Sequence, residues 1–273
     1  MLKLASWNVN SLKIRLEQVL QWLDSTQVDI LALQETKLID ENFPAQLFQE
    51  RGFHVVFSGQ KTYNGVAIIS KYPIENVVTD IPDLVDPQRR ILAATIAGIR
   101  LINLYIPNGA AVGTDKYEYK LMWLEKVIAF IKQQLSEHPK LSVVGDFNIA
   151  PEDRDVHSPE EWNGCVLVSP QERQAFASCI ALGLKDSFRH FEQAPQLFSW
   201  WDYRAGAWEN NAGLRIDHLL VSPQAADKLT GCSVKKSLRA LETTLGAALI
   251  QRTARGSVLT PSGKLFYTHA RLI

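Results

Sequence analysis

Leu141-Ser142-Val143-Val144-Gly145-Asp146-Phe147-Asn148-Ile149-Ala150-Pro151 is the stretch that decides how this chain is read. Leu141 to Val144 has the look of a buried strand, and Gly145-Asp146 stops it abruptly. The same grammar recurs on both sides. Leu2 to Trp7 is an apolar-rich run that passes into Asn8-Val9-Asn10, and Val28 to Leu33 stops at Gln34-Glu35-Thr36-Lys37. Arg100 to Tyr105 passes into Ile106-Pro107-Asn108-Gly109, and a run from Arg215 to Val221 opens on Arg215-Ile216-Asp217-His218. Strand ends lie at one rim of a sheet, so polar groups carried there can converge.

The intervening text supplies the other layers. Leu12, Leu16, Val19, Leu20 and Leu23 recur at helical spacing behind Ser11, an N-cap residue type. Tyr117 to Leu135 and Gln171 to Leu182 are also helical in period, and Phe53 to Phe57, Gly65 to Ser70, Ile91 to Ile96 and Leu197 to Trp201 read as strands. Ala97-Gly98 between two apolar runs predicts a hairpin. Hairpins mixed with long helices do not make the strict alternation of a parallel doubly wound sheet. They suit a layered arrangement, with sheets inside and helices outside.

The 273 residues are 46% hydrophobic and 21% charged, a globular balance that excludes intrinsic disorder as the main reading. No apolar run approaches the length of a membrane span, and Met1 to Asn10 does not have the build of a secretory signal. Cys165, Cys179 and Cys232 lack metal-site spacing, so the expectation is a reduced, cytoplasmic protein without disulfides or a zinc knuckle. The net charge of zero is divided unevenly. From Ser233 onward seven basic residues face the single acid Glu242, a tail of +6 on a body of −6. Such a split suggests two origins or two jobs, although an ordinary basic helical surface would look the same.

Taken singly, each polar strand end has a plain explanation. Asp146-Phe147-Asn148 suits an Asx turn, Glu35 suits a helix-dipole partner, and Asn8 suits a cap. Five of them in one chain favour a metal-assisted hydrolase. Carboxylates, amides and a phenol are hard oxygen donors, suited to a magnesium ion that keeps several waters and to a phosphodiester. Nothing in the spacing of His and Cys calls for a softer metal.

Several blocks resemble the bacterial exonuclease III family of abasic-site endonucleases. They are Leu4-Ala5-Ser6-Trp7-Asn8-Val9-Asn10-Ser11, Leu33-Gln34-Glu35-Thr36-Lys37, Asn103-Leu104-Tyr105-Ile106-Pro107-Asn108-Gly109 and Gly145 to Pro151, together with Ser199-Trp200-Trp201-Asp202-Tyr203-Arg204 and Leu214-Arg215-Ile216-Asp217-His218. The resemblance covers roughly residues 1–232. It implies a four-layer α/β/β/α sandwich of the endonuclease/exonuclease/phosphatase type. It also implies magnesium-dependent hydrolysis of phosphodiesters 5′ to abasic sites and 3′-5′ trimming of duplex DNA, by a monomer, with manganese as a substitute metal. By the same resemblance Glu35 is the principal metal ligand with Asn8 beside it, Tyr105 and Asn108 contact phosphate, and Asn148 lies near the attacked phosphorus. Asp146 activates water or protonates the leaving oxygen, and Asp217 orients a catalytic histidine. Trp200 lies near the abasic sugar. Trp201 is equally suited to core packing.

The chain departs from the family at its end. The family's Ser-Asp-His-Ala-Pro-Val type motif, which carries the catalytic imidazole, does not occur in the sequence, and the final strand that follows it is expected to be missing. The last aspartate is Asp227 and the only later histidine is His269. His218 adjoins Asp217 on a strand, so their side chains point to opposite faces and His218 reads as structural; His269 reads as a helix-surface residue. From about Val234 to Ile273 the sequence instead resembles the recognition helix, wing and linker-helix start of LysR-type transcription regulators. The expected organisation is therefore a nuclease domain over 1–232 and a helical, partial winged helix-turn-helix over 233–273. Loss of a general acid–base group costs about 10²- to 10⁴-fold in rate. The competing expectation is accordingly an inactive fusion that binds DNA without cutting it.

Overall fold

The computed structural model describes residues 2–202, 206–234, 250–253 and 256–259. Strand β1 (Leu4–Asn8) runs parallel to β2 (Ile30–Gln34), and helix α1 (Leu12–Thr26) crosses between them, burying Leu12, Val19, Leu20 and Leu23. Ser11 holds the N-cap position, yet its side chain makes no capping bond. Its backbone is bent to φ 92° so that its N–H donates to the Glu35 carbonyl at 2.7 Å. Helix α2 (Ala45–Gln49) leads to β3 (His54–Ser58) and β4 (Val66–Ser70), which complete a sheet of order β1-β2-β4-β3.

The second sheet opens with β5 (Ile74–Val78), β6 (Ile91–Ile96) and β7 (Ile99–Tyr105). Ala97 and Gly98, at φ 49° and 76°, make the tight turn of the β6–β7 hairpin. Helix α3 (Asp115–Glu137) then crosses to β8 (Leu141–Asp146), which lies parallel to β7. Helices α4 (Pro159–Trp162) and α5 (Pro170–Ala181) follow, then β9 (Lys185–Asp186). Short strands β10 (Trp200–Trp201) and β11 (Gly213–Leu214) pair with each other, and β12 (Asp217–Val221) and helix α6 (Pro223–Ala226) come next. The sheet order is β5-β6-β7-β8-β12-β9.

The pleat distributes the apolar side chains among three interfaces. Leu31, Leu33, Ala67 and Ile69 pack with Leu12, Val19 and Leu23 of α1. Their neighbours Ile30, Ala32, Val66 and Ile68 meet Leu92, Ala94, Leu101 and Val144 of the other sheet. On that sheet's far face, Ala93, Ile102, Leu104 and Val143 pack on Trp123 and Val127 of α3 and Phe176 of α5. These are the four layers expected. Strand β5 was not legible as a strand, because its middle three residues are exposed and it shows no apolar alternation. The expected strand from Leu197 shortens to Trp200–Trp201, and β12 begins at Asp217 because Arg215 donates its backbone N–H to Asp155 instead.

Among the described residues β1 is bonded to β2 alone and forms an edge, the arrangement expected of a family chain without its final strand. The helical tail needs correction where it is described. Strands β13 (Ile250–Thr253) and β14 (Gly256–Leu259) form an antiparallel hairpin, in keeping with the β-branched Ile250, Thr253 and Val258. The rest of that expectation, His269 included, lies outside the described residues. No helix among the described residues is long and apolar enough to cross a membrane.

One polar contact pins the two sheets together. Gln34 of β2 and Asn103 of β7 are both fully buried, and Gln34 Nε2 donates to Asn103 Oδ1 at 2.7 Å. Asn103 Nδ2 in turn donates to the carbonyls of Leu33 and Ala67, at 2.9 and 3.0 Å. Replacing Asn103 by Leu strands these partners. Urea unfolding is expected to show a loss of about 2–4 kcal/mol, and the Gln34→Leu/Asn103→Leu pair to lose less than the sum of its single variants.

Candidate active site

Neighbouring strands in register create the site. Tyr105 ends β7 opposite Asp146 of β8, and Asp146 lies opposite Asp217 of β12. On the facing sheet Asn8 ends β1 opposite Gln34, and Glu35 follows directly. The sheets bring these ends together. Asn8 Nδ2 donates to Glu35 Oε1 and to Asp146 Oδ2, each at 2.8 Å. Gly145 lets β8 pair closely with β7 just before Asp146. Its φ is 137°, and a Cβ there would fall 1.9 Å from the Leu104 carbonyl oxygen.

The loop after β8 adds the amides. Asn148 donates its backbone N–H to Asp146 Oδ1 at 2.9 Å, so the expected Asx turn is present and also aims Asn148. Asn148 Nδ2 donates to the Ile106 carbonyl at 3.0 Å, and its Oδ1 accepts from Asn108 Nδ2 at 3.1 Å. Asn8, Glu35, Tyr105, Asn108, Asp146, Asn148 and Asp217 thus belong to one connected group. Trp200 instead packs, half-buried, against the core cluster of Ala150, Val156, Val168, Leu214 and Ile216. Trp201 stacks edge-on against Trp208, with ring centroids 4.5 Å apart. Tyr203 and Arg204 of the same motif lie outside the described residues. Asn10, Ser11, Glu35, Lys37 and Asn148 are non-glycine residues with positive φ on these loops, the kind of backbone strain that gathers at functional sites.

Burial and crowded negative charge dominate the electrostatics. Burial, then Asp217 and Glu35, holds the Asp146 carboxyl well above the usual range, against the hydrogen bonds from Asn8 and Asn148. Burial likewise raises Asp217 to about 6, with Glu35 adding to the rise and a hydrogen bond from Ser199 opposing it. Tyr105 is pushed far up by burial and by Glu35 and Asp146, so it remains a neutral O–H donor. The guanidinium of Arg90 lies 4.7 Å from its ring centroid. Lys37 Nζ pairs with Glu35 at 2.9 Å and also bonds to Asn10 Oδ1.

No three His, Cys, Asp or Glu side chains among the described residues are grouped so as to hold a metal by themselves. The donors that do converge, carboxylates with one amide, fit a hard divalent ion that takes one or two carboxylates and keeps its waters. The amide nitrogen of Asn8 stands between two of these carboxylates, where a cation would be equally welcome.

Three contributors were missed in the sequence. Ser199 Oγ accepts the backbone N–H groups of Ile216 and Asp217, at 3.1 and 3.0 Å, and so fixes the start of β12. Arg90 lies against Tyr105. Lys120 falls in the buried register of α3 with Tyr117, Leu124, Val127 and Ile131, and a lysine at such a position was a legible signal. His218 is structural as read. Its Nδ1 is 3.0 Å from an Arg215 guanidinium nitrogen, which can only donate, and its Nε2 meets the Ile149 carbonyl at 2.8 Å. The ring is therefore a neutral Nε2–H tautomer, and burial and Arg215 lower its pKa to about 4.

Two mixed sheets between helices, with carboxylates and amides where their strand ends meet, define a layered α/β hydrolase. Residues 5–235 match the model of the Endonuclease/Exonuclease/phosphatase family, and the chain belongs to that family, in its exonuclease III and AP endonuclease branch. Exodeoxyribonuclease III of Haemophilus influenzae is 35% identical over 257 residues, covering 88% of this chain and 95% of that protein. The structure of the 3′ phosphatase NExo from Neisseria bound to a product DNA hairpin is 45% identical, with a TM-score of 0.83 over 85% of this chain and 90% of that one. An AP endonuclease from Archaeoglobus fulgidus is 37% identical, with a TM-score of 0.84 over 88% and 94%. The chain is thus an enzyme of the exonuclease III type, a family whose members depend on a divalent metal. The family match stops at residue 235, and the resemblance of the tail to LysR-type regulators gains no support from these comparisons.

The raised carboxyl pair has a consequence for stability. Asp146 and Asp217 bind their protons more tightly folded than unfolded, so their contribution to stability is greatest at low pH and is lost as pH rises, through about 6 for Asp217. In metal-free buffer at pH 7.5, Asp217→Asn is expected to melt about 2–4 °C above the wild type for each kcal/mol of repulsion removed. The gap should close below about pH 5, where unperturbed carboxyls near pKa 4 begin to take up protons. A calorimetric pH series on the two proteins checks it.

Proposed function

We propose that this chain is a DNA-repair nuclease that hydrolyses the phosphodiester on the 5′ side of an abasic site and trims 3′ ends of duplex DNA, acting as a monomer with magnesium. The observation that carries the reading is the convergence of Asn8, Glu35, Tyr105, Asp146, Asn148 and Asp217 where the two sheets meet. The names of the relatives, an exodeoxyribonuclease III, a DNA-bound 3′ phosphatase and an AP endonuclease, point the same way. The reading divides the chain into a nuclease domain over 1–232 and a separate tail over 233–273.

Glu35 and Asn8 would hold the metal, with manganese able to replace magnesium, and the ion would neutralise charge developing on the phosphate. The remaining groups belong to the chain. Tyr105 stays protonated and donates its O–H to a phosphate oxygen. Asn148 commits one amide hydrogen to Ile106 and keeps the other for the phosphate, while Asn108 steadies it and reaches the neighbouring phosphate. Asp146 carries a raised pKa, so it can both accept a proton from water and return one to the leaving oxygen. Asp217 faces Asp146 across the β8–β12 register and helps to raise its proton affinity. Trp200 forms the wall on the sugar side.

The test is incision of a duplex carrying one abasic site, with magnesium and then with chelator. Magnesium-dependent cutting is expected, at a rate reduced by about 10²- to 10⁴-fold for want of the family's histidine. Glu35→Ala should abolish it, and Asn148→Ala should lower kcat by a further factor of about 10²–10³. A folded protein that binds the duplex and never cuts it would overturn this reading in favour of a DNA-binding protein.

A further inference from the structure

Behind the proposed phosphate-binding amides lies an ion pair with no exposed surface. Lys120 of α3 and Glu172 of α5 both have fully buried side chains, and they are bonded to each other. The ammonium also donates to two backbone carbonyls, that of Asn108 at 3.1 Å and that of Asn148 at 2.7 Å. Three donors meet three acceptors, so every ammonium hydrogen is committed. Glu172 is equally committed. It accepts the backbone N–H groups of Leu167 and Ser169, each at 3.0 Å, and the Ser169 hydroxyl at 2.6 Å. Glycine at 109 leaves room for the stem, since a Cβ there would lie 3.1 Å from Lys120 Cδ.

The two carbonyls belong to the residues whose side-chain amides bond to each other. A buried ion pair is weak evidence for stability by itself, because desolvation offsets much of the attraction. Here the tetrahedral ammonium sets the separation of two loops that come from different strands. We propose that Lys120 is a positioning residue, fixing the Asn108 and Asn148 amides in the arrangement that grips a phosphate. The inference rests on the nuclease reading for the identity of the ligand, while the clamp itself can be tested without turnover.

Lys120→Met alone leaves Glu172 buried and unpaired and is expected to melt far below the wild type. Lys120→Met/Glu172→Gln removes both charges and should recover most of that loss. Lys120→Arg keeps the charge beside Glu172 but cannot reach both carbonyls in the same geometry. Rates are taken per folded molecule on a duplex with a tetrahydrofuran abasic analogue, and hydrogen exchange is followed by mass spectrometry. A positioning role predicts that the double and Arg variants fold, lose about 10²-fold in kcat and hold KM within about threefold, because misplacement by an ångström has that cost. Recovery of kcat together with melting temperature in the double variant would overturn the proposal. If the wild type does not cut at all, the nuclease reading fails, and exchange decides the clamp. Faster exchange confined to residues 106–110 and 147–150 of the double variant sustains it, and unchanged exchange there rejects it.

Discussion

The Gln34–Asn103 amide pair is the constraint from which the proposed site follows. Apolar packing between two sheets is non-directional and tolerates sliding. A buried amide on each sheet does not, because a slip of one residue would leave several polar groups without partners. Gln34 immediately precedes Glu35, and Asn103 lies two residues before Tyr105 on the same face of β7. Fixing that one pair fixes Glu35 and Asn8 over Tyr105 and Asp146. The bond from Asn8 to both carboxylates is the visible result.

A second network holds the site from behind. Arg215 is buried, bonded by Nε to Asp155 at 2.7 Å, by Nη2 to Asp186 at 2.8 Å and by Nη1 to His218. His218 passes the connection to the Ile149 carbonyl, next to Asn148. The charges there are satisfied by one another. At the front of the site the balance is poorer: Glu35 and Asp217 raise the proton affinity of Asp146, and Glu35 raises that of Asp217. The contrast is informative. Evolution tends to leave unneutralised charge where a ligand is to supply the balance, at the expense of stability.

Much of this was legible in the sequence, and the remainder was hidden for physical reasons. Strands buried on both faces, such as Ile30–Gln34 and Val66–Ser70, announce themselves as apolar runs, and their polar ends stand out against them. Strand β5 is half exposed and has no such contrast. Asn108, Asp146 and Asn148 were found because turn chemistry and motif coincide there. Trp200 was placed by its motif, and the structure seats it against the core cluster beside β12. Ser199 and Arg90 act through contacts with residues far away in sequence, which no local pattern encodes, whereas Lys120 stands out by its place in the buried register of α3. In the tail, expected to be helical, the β-branched text of residues 250–253 and 256–259 pairs as β13 and β14, and the rest of that expectation lies outside the described residues.

The chain's departure from its family is therefore selective in what it removes. Every proposed phosphate-gripping group lies between residues 8 and 217, on or beside the paired strands of the two sheets. The family's imidazole motif does not occur in the sequence, and among the described residues β1 is an edge. His218 cannot substitute, because it is turned to the other face of β12 with both ring nitrogens occupied. Gripping a phosphate and neutralising its charge are separate contributions from moving a proton, and in phosphoryl transfer the former are the larger. On the proposed reading, a site that keeps them and loses the proton carrier holds a phosphate and turns over slowly. On the proposed reading, any remaining proton transfer then falls to Asp146, whose proton affinity burial and the facing Asp217 raise above the usual carboxylate range.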